Sequence, residues 1–191
     1  MDKVKSYLKD TYHLTGYQAA CVIFLFKIFF SEVSKTLIMA LLFHQLLPEY
    51  FFALFIMLFL RCSTGGIHFY TYWGCLLMSI SYMALSIVIL PMIQLPLPIQ
   101  LLMLMSSMLV CFGIGPVVSK YRKETTTTGD RKMYFRSIAS GFILVYTLTL
   151  MFFPEAELLH VGFWVIITHS LQLIVAKIRK KGGQENDRMD C

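Results

Sequence analysis

The sequence predicts an all-α protein, a polytopic bundle of helices in a membrane. Three observations lead there. Hydrophobic residues make up 57% of the 191 and charged residues only 15%, against roughly 25% charged in a typical soluble domain. The mean hydropathy is +0.67. The apolar residues gather into about six runs divided by short polar breaks. A soluble domain of this size could not hide so much apolar surface, so lipid is the expected solvent for much of it.

Residues 2–14 (DKVKSYLKDTYHL) set Val4, Tyr7, Leu8 and Tyr12 near one face, apart from Lys3, Lys5 and Lys9. Segment 1–16 is therefore read as a basic amphipathic helix on the membrane surface, or as a frayed terminus. It does not have the form of a cleaved signal, so mature and translated chains are expected to coincide. Residues 17–43 are a 27-residue apolar stretch interrupted by Lys27, Glu32 and Lys35. Lys27, Ser31, Ser34 and Lys35 recur at helical spacing, so a polar stripe is expected to face protein, water or the interface. Such a segment spans, or lies half in the membrane. The next run, 50–60, has only 11 residues, short of the ~20 usual for a span. Together the two runs are expected to form a helical hairpin turning near Pro48.

After the polar break at 61–74, apolar character resumes and runs to Leu90. Pro91, Pro96 and Pro98 mark a turn. Four spans are expected after residue 74: 74–90, 99–118, 137–153 and 158–176. The segment 119–136 reads as a basic loop and 177–191 as a basic tail. Both belong on the cytoplasmic side by the positive-inside rule, whereas the turns at 91–98 and 154–157 carry no Lys or Arg and belong outside. Counting back puts the N-terminus and the 61–74 break in the cytoplasm. The whole chain, 1–191, is expected to be one integral membrane domain. Its net charge of +6 reads as topology, not as nucleic-acid binding, because the basic residues flank apolar runs.

Five cysteines (Cys21, Cys62, Cys75, Cys111, Cys191) include no CxxC pair, and the five histidines form no HxxxH or HExxH. Neither a disulfide framework nor a metal site is expected, and no cofactor. Chemistry is sought instead in the densest polar cluster, Arg61-CSTGGIHFYTYWG-Cys75. Gly65-Gly66 permits a tight bend before His68. Cys75 begins the next apolar helix, and the positive end of a helix dipole favours a thiolate. A histidine nearby can shuttle the proton. On one continuous helix the seven-residue step from His68 to Cys75 would be about 10.5 Å along the axis, too far for a direct contact. Either the chain bends so that His68 folds back over the helix start, or a dimer completes the pair. Residue types alone also allow a bland reading, with Cys75 a small apolar filler and His68 an interfacial residue.

Arg61, Gly66, His68 and Cys75, in the frame R-x4-G-x-H-x6-C, resemble the signature of the accessory gene regulator B family. The likeness covers nearly the whole chain: size, basic N-terminus, charged first apolar segment, basic central loop after Gly115-Pro116, final helix pair and basic tail. One departure stands in the central loop, where family members often carry a Lys-Pro step and this chain has Lys123-Glu124-Thr125. The resemblance implies a membrane cysteine endopeptidase of Gram-positive quorum sensing. It would cleave the C-terminal part of a small propeptide through an acyl-thioester on Cys75 and promote thiolactone or lactone ring closure. Cys75 would be the nucleophile and His68 the base and acid. Arg61 would clamp a propeptide carboxylate or anchor the fold, and Gly65 and Gly66 would serve the bend. Glu32 and Ser63 are the candidates for orienting His68. Lys27, Glu32, Lys35, Lys120, Arg122 and Lys123 are candidate substrate contacts. The implied partners are a propeptide with an amphipathic leader, a Cys or Ser ring residue and an acidic C-terminal end, the bilayer, and a second copy of the chain. The alternative from another class is a small transporter or peptide exporter without covalent chemistry, for which the Lys27/Glu32/Lys35 stripe would be essential and Cys75 replaceable.

Overall fold

A computed structural model describes residues 15–65, 71–116 and 129–189. Six long helices dominate: α1 (Gly16–Leu42), α2 (Leu47–Thr64), α3 (Tyr72–Ala84), α4 (Leu97–Ile114), α5 (Gly129–Phe152) and α6 (Glu157–Met189). Among the described residues, five segments are long and apolar enough to cross a membrane: His44–Thr64, Tyr72–Met92, Leu97–Ile114, Lys132–Phe152 and Glu157–Arg179. The all-α polytopic architecture is thus as expected. Helix α1 is not among the five. The chain divides into two compact units, Met1–Gln45 and Leu46–Cys191.

In the first unit, Thr15 caps α1 with a capping box. Its Oγ1 accepts from Gln18 N at 3.3 Å, and its own N–H donates to Gln18 Oε1 at 2.9 Å. Described side chains along the expected polar stripe make local bonds. Ser34 Oγ donates to Ser31 O at 3.0 Å, Thr36 Oγ1 to Glu32 O at 2.9 Å, and Lys35 Nζ pairs with Glu32 Oε1 at 2.6 Å.

In the second unit, α2 starts with Pro48 in its first turn, where the missing N–H costs nothing. Glu49 in the first turn and Arg61 in the last both complement the helix dipole. This corrects the expectation that 50–60 is too short to span. Counting an apolar run stops at charges, but the helix runs through them, and His44–Thr64 is 21 residues. Tyr50, Ala53, Ile56, Met57, Leu60 and Thr64 recur every three or four residues and are buried. Helix α3 continues through a π-helical segment, Leu85–Ile89, and a 3-10 turn, Leu90–Met92, where Pro91 prevents regular hydrogen bonding. Helix α4 ends at Gly115, before Pro116.

Two other boundaries differ from the sequence reading. The segment 129–136, expected as loop, is already helical in α5, and the basic tail is helical as far as Met189. Lys and Arg are good helix formers, so a change of hydropathy there marks the membrane edge, not a helix end.

Helix α6 is the centre of this unit. Of its apolar window 61% is buried, against 22–33% for the other four. It packs against α2, α4 and the π segment. Gly162 lets α2 approach: a Cβ there would lie 2.6 Å from Ile56 Cδ1 and Tyr146 Oη. Helices in lipid lack a hydrophobic drive toward each other, so such close packing at small residues holds them together.

Candidate functional site

Helix α2 stops at Gly65, whose φ of 78° is left-handed and favours glycine. Its N–H donates to Arg61 O at 2.9 Å. The next helix begins at Tyr72, with Thr71 as N-cap: Thr71 Oγ1 accepts from Gly74 N at 3.3 Å. Cys75 closes this first turn, its N–H bonded to Thr71 O at 3.0 Å. Helix α3 therefore begins four residues after position 68 in the chain. His68 and Gly66 lie outside the described residues, as do Lys120, Arg122, Lys123 and segment 1–14 of the expected amphipathic N-terminus. The side chain of Lys27 lies outside them too.

Cys75 is half-buried and takes part in no disulfide. It lines a small cleft where three helices meet, with Met57 and Arg61 of α2, Met78, Ser79 and Tyr82 of α3, and Gln172 of α6. The cleft holds about 20 Å³, room for about one water molecule. The thiol thus sits among polar groups. Tyr82 is fixed there because its buried hydroxyl donates to Val165 O at 2.8 Å.

Ser63 is buried on α2, and its hydroxyl donates to Phe59 O at 3.1 Å. Glu32 and Lys35 form their ion pair within the first unit. Among the described residues, no group of three or more His, Cys, Asp and Glu is placed to hold a metal ion.

The sequence reading missed a polar seam on α6. His169 is 1% exposed, and its Nε2 lies 2.8 Å from Thr64 Oγ1. Thr64 gives its single hydrogen to Leu60 O at 2.7 Å, so the imidazole Nε2–H is the donor to Thr64. This bond ties α6 to the last turn of α2, one residue before the Gly65 bend. Beside it, Ser86 and Thr168 hydroxyls meet at 3.1 Å. Cys111 Sγ and Ser170 Oγ lie 3.8 Å apart. The signal was present as Thr168-His169-Ser170 and Gln172 inside an apolar run, since polar groups within a span face protein.

Fold and cleft define a class: a multi-pass helical membrane protein with a cysteine at the start of a span, lining one cleft with polar residues from two other spans. The chain belongs to the accessory gene regulator B family, whose model matches residues 1–175. It is accordingly a membrane protein of quorum-sensing peptide processing, acting on a propeptide. No curated protein and no solved structure matches the chain.

Proposed function

We propose that this chain is a membrane cysteine endopeptidase that cuts a signal propeptide and closes the retained part into a ring. The observation that carries the reading is Cys75 itself: a half-buried thiol, outside any disulfide, in the first turn of a span, lining one cleft with Arg61, Tyr82 and Gln172. A mere apolar filler would need no such neighbours. Family membership supplies the substrate class, a propeptide.

In the proposed reaction, His68 takes the thiol proton and the Cys75 sulfur attacks the scissile carbonyl carbon. The peptide C–N bond breaks, and the departing amine takes its proton from His68. The propeptide is left as an acyl-thioester on Cys75. A Cys thiol or Ser hydroxyl within the peptide then attacks this carbonyl, giving up its proton to His68. The ring closes, and the Cys75 sulfur leaves and is reprotonated. A thiolactone exchanges one thioester for another at nearly even energy, whereas water attack runs downhill to a linear product. Exclusion of water therefore decides the outcome. A cleft with room for about one water, walled by Met57, Met78 and Tyr82, suits that need. Arg61, half-buried in the same cleft, is a candidate clamp for a propeptide carboxylate. The active face is the cytoplasmic one by charge asymmetry.

Co-expression with a tagged propeptide from a neighbouring short reading frame tests the reading. Cys75→Ala and His68→Ala each abolish cleavage while the protein still inserts in the membrane. Cut product persisting in either variant defeats the assignment.

A further inference from the structure

A thiolate that attacks a peptide carbonyl turns the carbonyl oxygen into an oxyanion, and the site must offer that charge a hydrogen-bond donor. The donors nearest to Cys75 along α3 are already engaged. The N–H of Cys75 is bonded to Thr71 O at 3.0 Å, and that of Gly74 to Thr71 Oγ1 at 3.3 Å. Tyr82, which lines the same cleft, gives its one hydroxyl hydrogen to Val165 O at 2.8 Å. Three other residues of the cleft wall carry donor hydrogens: Arg61, Ser79 and Gln172. Ser79 follows Cys75 by about one turn of α3, roughly 6 Å along the axis, away from the cytoplasmic end at which a propeptide arrives. Arg61 is cationic. It attracts the thiolate before attack as well as the oxyanion after it, and an interaction made in both states does little for the rate. The amide of Gln172 is neutral, so it gains chiefly when the oxygen takes up charge.

We infer that Gln172 is a catalytic residue, whose side-chain amide donates to the oxyanion formed as Cys75 attacks. The inference rests on the reading of Cys75 as the nucleophile. As the Cys75 sulfur bonds to the carbonyl carbon, the carbonyl π pair moves onto oxygen. Gln172 Nε2–H donates a hydrogen bond to that oxygen and keeps its proton. The pair returns as the C–N bond breaks and the acyl-thioester forms. The same oxygen becomes an oxyanion again when the ring nucleophile attacks, so one donor serves both steps. The size of the cleft fits the task. Room for about one water is room for one such oxygen, and Cys75 and Gln172 both line that space. The donor also stands on a rigid support. Gln172 follows His169 by three residues on α6, so the two share a face. His169 is held 2.8 Å from Thr64 Oγ1 of α2. A glutamine inside the Glu157–Arg179 span is costly in lipid, and a role in the cleft accounts for its presence.

The test uses the purified full-length chain in detergent and the tagged propeptide of the co-expression experiment. Gln172→Met keeps the shape of the side chain and removes its donor. It lowers kcat by roughly 100- to 1,000-fold with KM little changed, the loss that follows removal of one oxyanion donor. Gln172→Glu, which puts an acceptor in place of the N–H, falls as far, and it decides through kcat should Gln172→Met fail to insert. Alkylation of Cys75 by iodoacetamide, read at that residue by peptide mass spectrometry, forms no oxyanion and keeps the wild-type rate in Gln172→Met. Loss of alkylation along with cleavage would make Gln172 a structural support and overturn the inference. Wild-type kcat in either variant, or a rise in KM alone, overturns it too. The two failures are distinguishable. Cut product in Cys75→Ala defeats the nucleophile and this inference with it, whereas cleavage lost in Cys75→Ala but kept in Gln172→Met defeats this inference alone.

Discussion

Gly162→Ala adds one carbon at the tightest described contact between α2 and α6. That carbon would lie 2.6 Å from Ile56 Cδ1, 2.6 Å from Tyr146 Oη and 2.9 Å from Phe52 Cε1. Unstrained carbon contacts sit at about 3.5–4.0 Å, so each neighbour must retreat by about an ångström. Ile56 is 1% exposed and has no room to give. Tyr146 donates its hydroxyl hydrogen to Leu159 O, and moving away strains that bond. Overpacking a core costs about 1–3 kcal/mol, and weakening the Tyr146 bond adds up to about 1 kcal/mol. The expected loss is about 3 kcal/mol, roughly a hundredfold in the folded-to-unfolded ratio. Gly113→Ala and Gly141→Ala are the controls. No heavy atom lies within 4 Å of a Cβ at either helical position, so relief of glycine's poor helix propensity should stabilise each by up to about 1 kcal/mol. Unfolding in mixed micelles by added dodecyl sulfate, followed by tryptophan fluorescence, ranks the three. If Gly162→Ala is as stable as Gly141→Ala, the close approach of α2 and α6 is wrong.

The bond between Thr64 and His169 should appear as coupling in a double-mutant cycle. Thr64→Val and His169→Leu together cost less than the sum of the two, by about 1 kcal/mol, as for polar contacts between membrane helices. Additive losses in the same unfolding assay would mean that the two side chains do not meet. Tyr82→Phe removes the hydroxyl that donates to Val165 O, but that carbonyl keeps a share of the Thr168 hydroxyl hydrogen, at 3.1 Å beside the 2.7 Å bond to Trp164 O. The expected destabilisation is therefore small, about 0.5–1 kcal/mol. A loss above about 2 kcal/mol would show that Tyr82 holds something further in the cleft.

Most of the architecture was legible along the chain, because partition between water and lipid is nearly additive over neighbouring residues. The runs before Pro91 and after Pro98 were legible as helices for that reason. Where the reading went astray, it had let charge stand for helix ends. Glu49 and Arg61 cut the apolar run at 50–60 but occupy the terminal turns of α2, where the dipole welcomes them. The basic residues of 129–136 looked like a loop, yet they extend α5. Cys75 was singled out from its place at a helix start. His169 was passed over because a single polar residue scarcely lowers the mean hydropathy of a long window, though it is costly in lipid unless a partner such as Thr64 is found.

The sequence by itself determined that the chain enters a membrane as helices, that Pro91, Pro96 and Pro98 separate two of them, and that Arg61 and Cys75 flank a glycine-bearing polar segment. Each of these follows from local backbone and solvation preferences. Only the tertiary structure decided that Gln172 of α6 joins Arg61 and Cys75 at one cleft, that His169 holds Thr64, and that Tyr82 of α3 reaches Val165 of α6. Such meetings depend on how each helix is rotated and crossed against its neighbours. Those angles are set by the packing of small residues such as Gly162, and hydropathy carries no record of them.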